Sequence, residues 1–96
     1  MSVVLYMLRC ADDTYYVGST RKPLEARLAD HAEGRYESYT AGRRPVTLVF
    51  HHKFDHLAEA AAAERRLKSW RRDQKEALSH GNTKLMHALI KRTKKK

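Results

Sequence analysis

The chain has 96 residues, of which 42% are hydrophobic, enough for one compact domain and too few for a second core. Its single cysteine, Cys10, excludes an intramolecular disulfide and a cysteine-rich zinc site. The formal net charge of +9 arises from residues 64–96, where twelve Lys/Arg oppose three acidic residues. This uneven charge distribution favours a polyanionic partner. The alternative explanation of the charge is a solvated helix with a solubilising tail.

The N-terminal apolar run predicts neither a signal peptide nor a membrane span. The run is short, has no basic leader and is followed at once by Arg9, Asp12 and Asp13. We therefore expect a cytoplasmic protein.

The first elements form a predicted β-hairpin. Residues 3–9 are apolar at both odd and even positions, which is typical of a strand covered on both faces. The polar segment 11–14 predicts a turn, and the β-branched and aromatic residues of 14–18 predict the second strand.

A helix is predicted to follow, with Pro23 in its first turn and Ser19 or Thr20 as caps. Gly34 is the expected end of this helix. The remaining predictions are a loop over 35–45, a strand over 46–50, helices over 57–70 and 71–79, a break at 81–82, a short amphipathic helix over 85–90 and a frayed tail over 91–96.

This order, ββαβαα, predicts an α/β fold of the α+β type, with a small, three-stranded, largely antiparallel sheet flanked by helices. We expect residues 1–80 to form the domain. Residues 81–96 are expected to be a basic C-terminal extension, a short helix followed by a disordered tail.

A carboxylate lies on the apolar face of the helix predicted from residue 57. On a helical wheel Glu64 points between the apolar residues Leu57, Ala60, Ala61 and Leu67. A carboxylate there loses hydration unless a cation or hydrogen bonds replace it, which favours a function. The alternative is an ordinary salt bridge to Lys68 at i+4.

The first helix shows a similar pattern, because Arg27 and His31 lie four residues apart beside its apolar stripe. This pair is either a phosphate clamp or a snorkelling arginine next to a packed histidine, and spacing alone favours neither.

Two tyrosines, Tyr6 and Tyr16, lie on the two strands of the hairpin. An odd turn places them directly opposite on one face, and an even turn places them on opposite faces unless a bulge intervenes. Packed core tyrosines are the simpler reading of this pair.

The three histidines His51, His52 and His56 are better explained by a strand end and loop than by a metal site. Ser19 reads as a turn or cap residue.

Four motifs in order resemble the GIY-YIG nucleases, in particular the small stand-alone bacterial branch. Val4-Leu5-Tyr6 and Tyr16-Val17-Gly18 resemble the two half-motifs, although the first lacks its glycine. Arg27 with His31 resembles the next signature, and Glu64 the acidic metal ligand on a later helix. The resemblance covers about residues 3–75. Some family members use a late asparagine near the active site, and Asn82 is the only candidate for it in this sequence.

The resemblance implies a GIY-YIG-like fold and metal-dependent hydrolysis of nucleic-acid phosphodiesters, with DNA expected over RNA and DNA repair or processing as the role. Glu64 would hold Mg²⁺ or Mn²⁺, and Arg27 would donate to the phosphate. Tyr6 would be the general base, with its pKa lowered by nearby cations, Tyr16 a hydrogen-bonding partner and His31 a proton relay.

The nucleic acid itself is expected to contact a basic surface, and Gly18 is expected to be structural. The predicted surface comprises Arg65, Lys68, Arg71, Arg72, Lys91 and Arg92.

Two other classes remain open from the sequence. One is a catalytically inactive nucleic-acid-binding module, and the other is a protein-interaction domain whose basic end binds an acidic partner. The combination of Tyr6, Tyr16, Arg27 and Glu64 favours the enzyme, since a carboxylate at a phosphate site would repel the ligand of a simple binding module.

Overall fold

The structure is a computed structural model that describes residues 2–32 and 43–90. Its elements are β1 (Val3–Arg9), β2 (Tyr15–Thr20), α1 (Leu24–Ala32), β3 (Thr47–Phe54), α2 (Leu57–Lys68), α3 (Arg72–Ser79) and α4 (Thr83–Ile90). Three predicted features lie outside the described residues: the helix end at Gly34, most of the loop over 35–45 and the tail over 91–96.

The sheet is antiparallel, with strand order β2-β1-β3, which confirms the predicted α+β architecture. Its central strand β1 is covered on both faces, as the unbroken apolar run predicted. Val3, Leu5 and Met7 face the main core, whereas Tyr6 and Leu8 are buried on the other side.

The main core lies between the sheet and helices α2, α3 and α4. Helix α2 contributes Ala60, Ala63 and Leu67, and Leu78 of α3 and Leu89 of α4 join the same cluster. Helix α4 therefore packs into the core of the domain rather than lying beside it. Within the described ranges, no helix is long and apolar enough to cross a membrane.

Strand β2 differs from its prediction, because it continues through Ser19 and Thr20. These residues were expected to cap the first helix, which begins later, at Leu24. The Thr20 hydroxyl instead accepts a hydrogen bond from the backbone N–H of Lys22 at 3.1 Å, in the turn that follows the strand. Pro23 precedes the helix, and its carbonyl accepts from the Arg27 N–H at 3.2 Å.

Strand β3 also continues further than predicted, to Phe54, so His51 and His52 lie within the strand. His52 packs its ring against Phe54, with centroids 4.8 Å apart, and His56 is the N-cap residue of α2. No group of three or more His, Cys, Asp or Glu side chains suited to a metal ion is found in residues 2–32 and 43–90.

Candidate active site

Tyr6 and Tyr16 share one face of the hairpin. The loop from Cys10 to Thr14 has an odd number of residues and places Tyr6 opposite Gly18 and Leu8 opposite Tyr16. The tyrosines are therefore diagonal neighbours, with ring centroids 6.2 Å apart, rather than directly opposite. The expectation of direct opposition was wrong, because the five-residue loop sets the register two residues away from that arrangement.

Gly18 leaves the space that the Tyr6 ring occupies. A Cβ atom at this position would lie 2.8 Å from the Tyr6 hydroxyl and 3.0 Å from Cε2 of Tyr16. The glycine of the second half-motif is thus explained by close approach, since any side chain would push the Tyr6 ring out of its place.

His31 of α1 completes a cluster of three rings. Its Nε2 lies 3.0 Å from the Tyr6 hydroxyl, and its ring centroid is 5.8 Å from that of Tyr6 and 5.1 Å from that of Tyr16. His31 is fully buried although it carries two polar nitrogens. The structure therefore brings together three residues that the sequence placed on three separate elements.

The protonation of this cluster differs from the expectation. Burial raises the pKa of Tyr6 well above its ordinary value, Tyr16 adds to the rise, and the Arg27 charge opposes it without cancelling it. The Arg27 charge acts in the predicted direction, but the prediction of a net lowered Tyr6 pKa was wrong, because the cost of burying a phenolate exceeds the attraction of one guanidinium.

His31 shows the opposite shift. Burial, with the Arg27 charge as a second cause, lowers the pKa of His31, although Asp30 partly opposes the change. At neutral pH the imidazole is therefore uncharged, and it can accept a proton through one of its nitrogens.

Glu64 lies at the border of the buried face of α2 rather than in its middle. The buried positions are Ala60, Ala63 and Leu67, whereas Leu57 is 53% exposed. The helical-wheel prediction that Leu57 belongs to the apolar face was wrong, because Leu57 lies in the first turn, beyond the part of α2 that packs on the core.

The Glu64 carboxylate has two partners. Its Oε1 accepts a hydrogen bond from the Ser19 hydroxyl at 2.9 Å, and its Oε2 lies 3.0 Å from Nζ of Lys68. The salt bridge held open as the alternative explanation is therefore present. The bond to Ser19 ties α2 to the edge strand β2.

Arg27 acts on the ring cluster and also lines a cavity together with Ser19, the hydrogen-bond partner of Glu64. Its charge acts on both Tyr6 and His31, and the Glu64 charge also acts on Tyr6. Arg27 and Ser19 line the same cavity of about 570 Å³, which Arg21, Lys22 and the exposed Leu57 also border. A cavity of this volume is in the range of small-ligand sites and presents cations to whatever enters it.

The comparison with known proteins agrees with the motifs. A family model described as the GIY-YIG catalytic domain matches residues 2–77. The chain belongs to the GIY-YIG family.

Relatives of this GIY-YIG domain occur in archaea and bacteria. A UPF0213 protein of Halobacterium salinarum is 45% identical over 77% of this chain and 95% of its own. One from Bacillus pumilus is 42% identical over 74% of this chain and 71% of its own.

Two solution NMR structures share the fold. The UPF0213 protein of Bacillus halodurans is 32% identical with a TM-score of 0.55, over 90% of this chain and 94% of that one. A protein from E. faecalis is 38% identical with a TM-score of 0.60, over 92% and 88%.

The donor set of this GIY-YIG domain suits a divalent ion that keeps most of its water. Glu64 offers one half-buried carboxylate already oriented by Ser19. Mg²⁺ typically binds through one or two carboxylates together with waters and substrate phosphates. A single glutamate whose partner Ser19 lines a cationic cavity fits that requirement.

The predicted nucleic-acid surface is only partly available. Lys68 pairs with Glu64, Arg71 with Asp73 at 3.2 Å, and Arg72 donates to the Asp13 carbonyl and stacks over the Tyr15 ring. Arg72 therefore holds α3 against the hairpin loop. Arg65 is exposed, and Lys91 and Arg92 lie outside the described residues.

Ser19 was assigned to the wrong class from sequence, whereas Asn82 lies in the break that was predicted over 81–82. Ser19 lies in strand β2 and is a hydrogen-bond partner of Glu64. The strand propensity of residues 15–20 was the signal that could have assigned Ser19 to the strand rather than to a helix cap. Asn82 caps α4, because its Oδ1 accepts from the Leu85 N–H at 2.9 Å.

Proposed function

We propose that the chain is a metal-dependent endonuclease that hydrolyses nucleic-acid phosphodiester bonds, with DNA as the preferred polymer, Mg²⁺ or Mn²⁺ as the cofactor and DNA repair or processing as the role. The observation that carries this proposal is the buried contact between Tyr6 and His31, within electrostatic reach of Arg27 and Glu64. A merely structural tyrosine–histidine pair has no need of a cation and a carboxylate around it.

Tyr6 and His31 act as one proton-accepting unit in this proposal. The raised pKa of Tyr6 opposes a standing phenolate, so Tyr6 accepts the proton of the attacking water only while it passes its own proton to His31. Nε2 of neutral His31 is 3.0 Å away and receives that proton in the Nδ1-protonated tautomer. The relay avoids a buried phenolate at every stage.

The remaining residues act on the phosphate and the ion. Arg27 donates to the phosphate oxygens as negative charge develops on them. Tyr16 orients the water or a phosphate oxygen, and Glu64, oriented by Ser19, holds the divalent ion. The bound ion supplies Lewis-acid stabilisation of the leaving oxygen.

The experiment that tests the proposal incubates the purified protein with plasmid, single-stranded, branched and RNA substrates in Mg²⁺, Mn²⁺ or chelator. We expect cleavage only with metal, and its loss in Glu64→Ala with nucleic-acid binding unchanged or slightly tighter. The variant also excludes a contaminating nuclease. Binding without cleavage in every metal would support the inactive binding module instead, and cleavage by Glu64→Ala at the wild-type rate would remove Glu64 from the mechanism.

A further inference from the structure

Both oxygens of the Glu64 carboxylate are engaged, and the two partners differ in kind. Ser19 is a short, partly buried side chain fixed on strand β2, 2.9 Å from Oε1. Lys68 is a long side chain, 56% exposed, whose ammonium lies 3.0 Å from Oε2. Ser19 therefore fixes the orientation of the carboxylate, whereas Lys68 can leave it at little cost.

The weakness of the Lys68 contact follows from its setting. Ion pairs between residues four apart on an exposed helix surface contribute little to stability, because water and salt screen them and both side chains lose freedom. The Glu64 side chain is only 22% exposed, so its charge needs compensation more than the lysine does.

A compensating cation matters because of the ligand that the proposed function requires. A phosphate group entering the cavity that Ser19 and Arg27 line comes close to the negative charge of Glu64, because the Glu64 carboxylate accepts from the Ser19 hydroxyl. An ammonium or a divalent ion on the carboxylate removes that repulsion. The Lys68 ammonium and a divalent ion repel each other when both contact the same carboxylate.

We propose that Lys68 is a placeholder cation, which neutralises Glu64 until a divalent ion takes its place and which then moves to a phosphate of the substrate. This inference rests on the proposed metal-dependent function and adds a handover step to it. The lysine keeps the site neutral enough for nucleic acid to bind first. Glu64 thereby becomes available for the ion when phosphate oxygens are present to share it.

The first test measures metal binding without nucleic acid. Mn²⁺ is titrated into the full chain and followed by its EPR signal, for wild type, Lys68→Met and Arg65→Met. We expect Lys68→Met to tighten Mn²⁺ binding roughly three- to tenfold, the size expected from removing a unit charge a few ångströms from a divalent ion at a hydrated surface. Arg65→Met, on the same helix but exposed, should change it much less.

The second test measures binding of a labelled DNA oligonucleotide in chelator by fluorescence anisotropy. Lys68→Met should weaken binding more than Lys84→Met, which removes an exposed cation of α4. In a Glu64→Gln background, Lys68→Met and Lys84→Met should reduce DNA affinity equally, because no carboxylate charge is left to compensate. Lys68→Gln serves as a second variant if the methionine alters folding, which circular dichroism would report.

The outcomes separate this inference from the proposed function. If Glu64→Gln binds Mn²⁺ as wild type does, Glu64 is not the metal ligand, so the placeholder role of Lys68 fails together with the metal-holding role of Glu64 in the proposed function. If Glu64→Gln loses Mn²⁺ binding but Lys68→Met leaves the affinity unchanged or weaker, the placeholder role alone is overturned and Lys68 is only a surface ion pair. An equal effect of Lys68→Met and Lys84→Met on DNA binding in the wild-type background would overturn it as well.

Discussion

At the scale of single residues, the candidate site depends on how burial changes ordinary side chains. Tyr6 and His31 are both inside the protein, and burial moves their pKa values in opposite directions, each towards its neutral form. A neutral imidazole beside a neutral phenol is a proton acceptor paired with a donor. The buried phenol by itself would be a poor base at neutral pH.

Removing the Tyr6 hydroxyl tests this pairing. We expect Tyr6→Phe to lower kcat by about 10²–10⁴-fold, the range for a lost general base. It should also destabilise the fold by about 1–3 kcal/mol, because a nitrogen of buried His31 loses its 3.0 Å contact with the hydroxyl. Single-turnover cleavage and thermal unfolding measure the two effects.

Tyr16→Phe is the matched control for that variant, and it should cost less activity, since water replaces a positioning hydrogen bond more easily. Turnover close to wild type in Tyr6→Phe, together with an inactive His31→Ala, would transfer the role of base to His31.

Acidic pH should reduce both stability and activity. The lowered pKa values of His31 and His52 mean that the folded chain binds fewer protons than the unfolded chain at pH values just below 6.5. The free energy of unfolding therefore falls as the pH drops below 6.5 and through the folded pKa values. Activity should fall in the same direction, because protonated His31 cannot accept a proton from Tyr6.

The two histidines can be separated by measuring kcat/KM and unfolding against pH. His52→Gln should remove part of the pH dependence of stability and leave the acidic limb of activity in place. An unchanged acidic limb in a residually active His31→Gln variant would show that another group limits the reaction.

At the scale of elements, most bounds followed from hydrophobic pattern, and the errors concern strand ends. Strand β2 and strand β3 both continue beyond their predicted ends, to Thr20 and Phe54. Polar residues such as Ser19 and His51 predict a loop from sequence alone. Edge strands tolerate them, because one edge of each such strand is not hydrogen-bonded to another strand. Pairing with β1 in the three-stranded sheet decided these ends.

Helix α4 offers a test of a single cap. Asn82→Ala removes the acceptor for the Leu85 N–H and should destabilise the protein by about 1 kcal/mol, since Leu89 of α4 is in the core. Chemical denaturation measures the loss, and Asn82→Ser or Asn82→Asp should restore most of it. Cleavage per folded molecule should not change. A specific loss of turnover with an unchanged unfolding free energy would give Asn82 a role in the reaction.

At the scale of the whole molecule, the positive charge belongs to the C-terminal third of the chain. Several of its arginines are used internally, including Arg66, which donates to the Leu89 carbonyl at 2.6 Å, and Arg72 on the hairpin loop. The available cations for nucleic acid are therefore fewer than the formal charge indicates.

Removal of residues 91–96, which contain five cations, should weaken DNA binding and preserve cleavage at high substrate concentration. The slope of log affinity against log salt should fall by roughly 2–4 units if those cations neutralise phosphates. Lys84→Gln, a single-charge control, should change the slope by about one unit at most. A slope unchanged by the truncation would assign the phosphate contacts to the cavity and the helices.

The sequence by itself determined the order and type of the elements and the buried central strand, and it singled out Tyr6, Tyr16, Arg27, His31 and Glu64 as candidates, because periodicity and motif order are local properties of the chain. It did not determine what surrounds those side chains. The Tyr6–His31 contact joins residues 25 apart, and the Ser19–Glu64 bond joins residues 45 apart. Protonation depends on burial and on neighbours brought together by packing, so the raised pKa of Tyr6, the neutral His31 and the paired Glu64 were decided only by the tertiary structure.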